Sequence, residues 1–315
     1  MSQQLMISGQ RRRALALVVW ALVLLCPQLA IAETIGVLFP QTREPFRQVY
    51  TNIIEGVEAE YQGPVERLVI GPDTTAKSIQ DWMDRKNIRG VVVLGKESLD
   101  RIPPGAVRPL VVGGSIIPPG SQAHPGITLN PAPGLLFAGL LKLRPEVRDI
   151  HVVYEPDYNG WVIEAAERAA QELGIRLHSH PVTGLREAAA RYREVQQTLK
   201  SRSEALWLPL GGPSREKSIL QKILETAWAR DQIIISSNLA DVRRGAFYAL
   251  YPDNRGMGME LARLLKMRMA DGESATEPVF LSALYQALNL RTAEHLGLRL
   301  DREGLKAFDF IYPPQ

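Results

Sequence analysis

Residues Arg148 to Ala165 read RDIHVVYEPDYNGWVIEA, and the order of residue types along them decides the fold. Ile150, Val152 and Val153 predict a short buried strand, Glu155 to Gly160 is turn chemistry, and from Trp161 apolar and charged residues recur at helical spacing. The same strand-to-helix order has already run once from Thr34, so the chain contains two similar halves. Open parallel sheets bind ligands at the carboxyl ends of their strands. The polar, aromatic-bearing stretch after Val153 is therefore expected to form one wall of a ligand cleft.

Toward the N-terminus, 34–39 (TIGVLF), 65–70, 90–94 (GVVVL) and 109–112 read as strands of a first sheet. Between them Phe46, Val49, Tyr50, Ile53, Ile54, Val57 and Tyr61 mark one amphipathic helix, and Ile79, Trp82 and Met83 mark another. Residues 116–133 are dense in proline and glycine, as expected for a crossing between lobes, with 127–129 as one short crossing strand and a helix over 134–143. Toward the C-terminus, helices over 161–173, 187–200 and 214–230 alternate with strands over 175–181, 205–210 (ALWLPL) and 232–236 (QIIIS). The alternation then changes. A strand over 245–251, a helix over 257–270, a strand over 279–285 and a short helix over 290–296 are read as the chain recrossing the hinge.

The fold class expected is α/β, two doubly wound parallel-sheet lobes joined by crossing segments. The first lobe takes 33–128 and 253–283. The second takes 129–252 and 284–315, with the C-terminal segment near the hinge. The hinge is expected near Thr128 to Asn130, Ala249 to Asp253 and Leu284 to Leu288.

Composition narrows the function. The 315 residues are 45% apolar, enough for a sizeable core and about two domains. The net charge of +3 rests on Arg11, Arg12 and Arg13, the only charged residues before Glu33. These arginines precede an apolar run from Ala14 to Leu25 and then Ala30-Ile31-Ala32, which reads as a signal peptide over 1–32, cleaved on export to the periplasm. The run is shorter than the roughly 18 residues a membrane span needs and is broken at Pro27. Without those residues acidic and basic side chains balance, which removes the electrostatic motive for binding nucleic acid. Cys26 is the sole cysteine; it follows Leu25, whereas a lipid-modified cysteine follows a small residue, so the thiol is expected to leave with the leader.

No motif for covalent chemistry stands out. The chain lacks GxSxG, GxxxxGK[ST] and HExxH, and has no GxGxxG after its first strand. No cofactor and no metal is expected. His178 and His180 share a strand face, but with no cysteine and no third histidine expected nearby, and Ser179 and Pro181 around them, a solvated strand edge is the preferred reading. Lys96 beside Glu97 is the one pair worth inspecting for catalysis. The stronger pattern lies in the strand ends. Phe39, Gln41 and Thr42, then Gly95 and Lys96, then Gly114 and Ser115 end strands of the first lobe. Asp157, Tyr158 and Asn159, then Gly211 and Gly212, then Asn238 end strands of the second. Aromatic faces, amides, hydroxyls and open backbone at one rim of each sheet suit a small polar ligand, although each is also ordinary turn chemistry.

VRDIHVVYEPDYN, AAQELGIRLHSHPV, QIIISSNLADVRRGAFYALYPD, GMGMELARLL and the terminal LNLRTAEHLGLRLDREGLKAFDFI together resemble the substrate-binding proteins of ABC transporters, specifically the TrpX-like branch with the type I periplasmic-binding-protein fold. The resemblance implies a monomeric binder that captures a small solute, such as an amino acid, between two lobes and hands it to an ABC permease without chemistry of its own. It also implies that Tyr158, Asn159, Gly211, Gly212 and Asn238 are the second-lobe contacts. Two positions depart from the pattern: Asn238 stands where an acidic residue is usual, and Gly95-Lys96-Glu97 where a small hydroxyl-bearing loop is usual. The same architecture also serves sensory modules that report to a membrane partner.

Overall fold

A computed structural model describes residues 33–44, 46–102, 109–120, 124–271 and 278–314. The expected signal peptide and Cys26 lie outside the described residues. In chain order the elements are β1 (Ile35–Pro40), α1 (Phe46–Tyr61), β2 (Val65–Ile70), α2 (Ala76–Arg85), β3 (Gly90–Leu94), α3 (Lys96–Leu99), β4 (Leu110–Gly113) and β5 (Ile127–Pro131). Next come α4 (Pro133–Leu143), β6 (Asp149–Tyr154), α5 (Pro156–Glu172), β7 (Arg176–Pro181), α6 (Gly184–Thr198), β8 (Glu204–Leu208), α7 (Lys217–Ala229), β9 (Ile233–Ser236), α8 (Leu239–Arg244) and β10 (Tyr248–Pro252). The chain closes with α9 (Asn254–Asp271), β11 (Val279–Leu281), β12 (Leu284–Asn289), α10 (Leu290–His295), α11 (Arg302–Leu305) and β13 (Phe310–Tyr312).

The first sheet has the order β2-β1-β3-β4 and is parallel throughout, with Ile35 opposite both Val65 and Gly90. A parallel bridge from Val112 to Gly126 leads from β4 to β5, which pairs in turn with β11. The second sheet has the order β13-β12-β10-β9-β8-β6-β7. It is not wholly parallel, because β12 runs antiparallel to β10. The geometry explains the difference: β10 leaves the sheet at Pro252, α9 covers the first sheet, β11 pairs with β5 in a two-stranded sheet, and the chain re-enters at Leu284 opposite Pro252, so it must run back down.

Both sheets are covered on both faces, which is why their central strands read as continuous apolar runs. On the first sheet, Ile53 and Val57 of α1 join Met257, Leu261 and Leu265 of α9 over one face, while Ile79, Trp82 and Met83 of α2 cover the other. On the second, Phe137 of α4 and Val162 of α5 form one layer, and Tyr192 of α6 with Leu220 and Ile223 of α7 forms the other. Each such side chain contributes about 1.5 to 3 kcal/mol by leaving water. Helices α1 and α9 meet at two glycines: a methyl on Gly56 would strike the carbonyl of Arg255, and one on Gly258 would strike that of Ile53.

Three segments pass between the sheets side by side. The Ala132 amide donates to the Leu281 carbonyl at 3.3 Å, and the Asp253 amide to the Ala283 carbonyl at 3.0 Å. The strand expected over 279–285 is thus two strands, β11 in a two-stranded sheet with β5 and β12 in the second sheet, with the crossing at Ser282 and Ala283 between them. Helix α5 begins at Pro156, five residues before Trp161, because proline is preset for a first helical turn. Helices α8 and α11 and strand β13 are too short to leave a periodic signal and were not expected. Among the described residues no helix is long and apolar enough to cross a membrane.

Candidate functional site

The rim of the first sheet is built around a residue that the strand-end pattern does not contain. Tyr50, on α1, lies against the turns after β3 and β4: a methyl on Gly95 would be 2.7 Å from its hydroxyl, and one on Gly114 would be 3.1 Å from its ring. Both glycines have left-handed backbones, φ 78° and 67°, so close approach and conformation each require glycine. Burial, and then the Glu97 carboxylate, push the Tyr50 phenol up, keeping it a neutral hydroxyl. In the sequence Tyr50 is one member of an apolar stripe, and nothing separates it from core.

The other first-rim positions divide. Phe39 is half-buried against the core, Gln41 is exposed with its backbone N–H donating to the Ile70 carbonyl at 2.9 Å, and Thr42 is partly exposed. Ser115 is partly exposed and its carbonyl accepts from the Leu129 amide at 3.0 Å. Lys96 is exposed, and its Nζ lies 2.9 Å from both carboxylate oxygens of Asp100, one turn along α3. The lysine is therefore paired with Asp100 and not with its neighbour Glu97, contrary to the pairing that suggested catalysis.

In the second rim, Asp157, Tyr158 and Asn159 occupy the first turn of α5 and are not in a loop. Asn159 is buried; its Nδ2 donates to the Leu210 carbonyl at 3.0 Å, while its Oδ1 has no hydrogen-bond partner. A buried acceptor left unmade costs about 1 to 3 kcal/mol, which a ligand N–H could recover. Tyr158 is 63% exposed, and Asp157 is exposed beside it at the positive end of the helix dipole. Arg215, which sequence reasoning passed over, ties this turn to the next. It pairs with the largely buried Glu155 at 2.9 Å, donates to the Gly211 carbonyl at 2.9 Å and lies 5.6 Å from the centre of the Tyr158 ring.

Gly211 is exposed and Gly212 is buried, at the mouth of β8. Beyond them, Trp207 Nε1 donates to Ser237 Oγ at 3.1 Å, and Ser236 Oγ donates to Asp241 at 2.7 Å. Burial raises the Asp241 pKa, with the Ser236 hydrogen bond and Arg244 opposing. Asn238 caps α8: its Oδ1 accepts from the Ala240 amide at 3.0 Å, leaving the exposed amide NH2 group for other partners. The two rims come close beside Gly211, where an added methyl would lie 3.9 Å from Cδ1 of Ile116, a residue 45% exposed just after β4.

The histidines are a correction. His178 and His180 do have a third near them, because parallel pairing of β6 with β7 sets His151 opposite His178. His151 Nδ1 lies 3.2 Å from His180 Nε2, and the His151 and His178 rings stack at 4.5 Å. Asp149 joins them, 2.7 Å from His178, and is bonded to Arg176 through both oxygens. Among the described residues no group of three His, Cys, Asp or Glu could hold a metal ion.

No family model matches the chain, and no curated protein matches it. Solved structures do. The chain is similar to an ABC domain in complex with L-Trp from Streptococcus pneumonia, with TM-score 0.51 and 16% identity over 88% of this chain and 99% of that one. It is similar to the ligand-free, open structure of a substrate binding protein with adhesive properties from Clostridium difficile, with TM-score 0.59 and 11% identity over 88% and 98%. A periplasmic ribose ABC transporter structure from Conexibacter woesei matches with TM-score 0.50 and 12% identity over 85% and 95%. The fold is that of the type I periplasmic binding proteins.

Proposed function

We propose that the chain is an exported solute-binding protein that captures a small organic solute between its two rims and delivers it to an ABC permease. The observation that carries this reading is the meeting of the two strand-end rims at Ile116 and Gly211, with Tyr50 behind the first and Tyr158, Asn159 and Asn238 on the second. An exposed aromatic face and a buried, unpartnered amide oxygen suit a ligand with a flat or apolar body and an N–H donor, a description that an amino acid satisfies. The likeness to the L-Trp complex and the TrpX-like stretches support an amino-acid class of ligand. The leader-like N-terminus and the binding-protein neighbours support a periplasmic address. In this reading the protein is a monomer that binds and releases without covalent chemistry, and closure about the crossing segments creates a surface for the permease.

A melting screen against amino acids, sugars, purines and small carboxylic acids tests the proposal. A true ligand at a hundredfold excess over its Kd stabilises the fold by about 2.7 kcal/mol. Tyr158→Ala should abolish that shift while leaving the melting temperature of the free protein unchanged. Absence of stabilisation by every solute, or turnover of any of them, would remove this reading.

A further inference from the structure

A cavity of about 1030 Å³ lies away from the rims, between α7 and a wall formed by α8, α10 and the C-terminal strand. Along α7 it is lined by Lys217, Leu220, Leu224 and Trp228. These positions recur at three and four residues, so one stripe of the helix faces the groove over about 16 Å. Opposite stand Arg243, Arg244, Arg291 and Tyr312.

Charge and preorganisation separate this groove from an ordinary helix surface. Among the described residues Lys217, Arg243 and Arg291 form no ion pair, and the one acidic residue lining the groove, Glu225, is already held by Gln221 and Lys222. The guanidinium of Arg243 lies 5.6 Å from the centre of the Tyr312 ring, and that of Arg291 lies 5.1 Å from Trp228. Trp228 is 41% exposed, yet its ring is fixed by His295, stacked at 3.8 Å and anchored by Asp231 at 2.9 Å and the Trp228 carbonyl at 2.9 Å. A rigid, exposed tryptophan flanked by arginines is the composition of an interface hot spot. Its length exceeds that of a compact metabolite, and its leucine and tryptophan floor distinguishes it from a phosphate-backbone tracker.

We infer that this groove docks an acidic amphipathic segment of a partner protein, with apolar side chains at helical spacing on Leu224 and Trp228 and carboxylates on Arg243, Arg244 and Arg291. The site is separate from the rims and does not depend on what they bind.

A library of random 12-residue peptides selected on the full chain tests this, with Arg243→Glu and Arg291→Glu as comparison variants and thermal melts to verify that both are folded. Enriched peptides should carry Asp or Glu together with Leu, Phe or Trp three or four residues apart. Their affinity should fall about tenfold or more on either charge reversal and weaken with added salt. If a reversal does not fold, Arg243→Gln and Arg291→Gln must each lower the affinity instead. No enrichment, enrichment of neutral or basic peptides, affinity indifferent to these substitutions, or binding of phosphatidylglycerol vesicles but of no peptide would overturn the inference.

Discussion

At the scale of single residues, the capping role of Asn238 can be separated from the solute contact proposed for it. Its Oδ1 caps α8, so Asn238→Ala should cost about 1 kcal/mol in urea unfolding, while Asn238→Asp, which can still cap, should cost much less. If Asn238 also contacts the solute, Asn238→Asp must weaken binding without that stability loss; unchanged affinity would take it out of the site. The histidine cluster makes a pH prediction. His180 is depressed to about 4, by burial first and then by His151, and His151 is lowered by burial first and then by His178. Both are therefore neutral in the fold, and their contribution is present above about pH 6.5 and lost as pH falls toward 4, as the unfolded chain takes up protons that the fold refuses. For the partly exposed His180 ring this amounts to about 1 kcal/mol after solvent screening. Asp149, held near 2 chiefly by Arg176, adds a second loss from pH 3.8 downward. His180→Gln should flatten the slope of unfolding free energy between pH 6.5 and 4; a slope identical to the parent's would refute the assignment. What was legible at this scale was local: that Tyr158 and Asn159 follow a strand can be read from their neighbours. Tyr50, Arg215 and the third histidine were not, because each reaches its place through a contact between distant segments.

At the scale of elements, the apolar runs 34–39, 90–94 and 205–210 were legible as buried parallel strands because both of their faces are covered, so every position is apolar. Boundaries were less so. Pro156-Asp157-Tyr158-Asn159 is turn chemistry when read in isolation and a helix start when a strand precedes it. The 279–285 run is a single apolar stretch in sequence, and only the sharing of the chain between two sheets cuts it at Ser282. The seam between α1 and α9 carries the sharpest prediction. Gly56→Ala and Gly258→Ala each place a methyl into a backbone carbonyl of the opposite helix, which no rotamer change relieves. Each should lower the unfolding free energy by about 2 to 3 kcal/mol, against the small gain expected of alanine in an open helix. Unchanged midpoints in chemical unfolding would mean that the helices are not in such close contact.

At the scale of the whole molecule, three adjacent crossing segments leave few other motions than rotation of one sheet body against the other. Saturation with a solute identified by melting should therefore reduce the radius of gyration in small-angle scattering, and Tyr158→Ala should prevent the reduction. A radius indifferent to bound solute would mean that capture does not draw the rims together. The glycine seam has one more consequence, which concerns the order in which the protein can come into being. Gly56 leaves the ribosome about two hundred residues before Gly258, an interval of roughly 10 to 40 s at ordinary rates of synthesis. Throughout that interval the nascent N-terminal strands lack the helix that shields one side of them, whereas most of the segment between β6 and β10 can collapse as it emerges. The middle of the polypeptide should thus mature before its beginning, with the early strands held in an unfinished state that a chaperone can still engage.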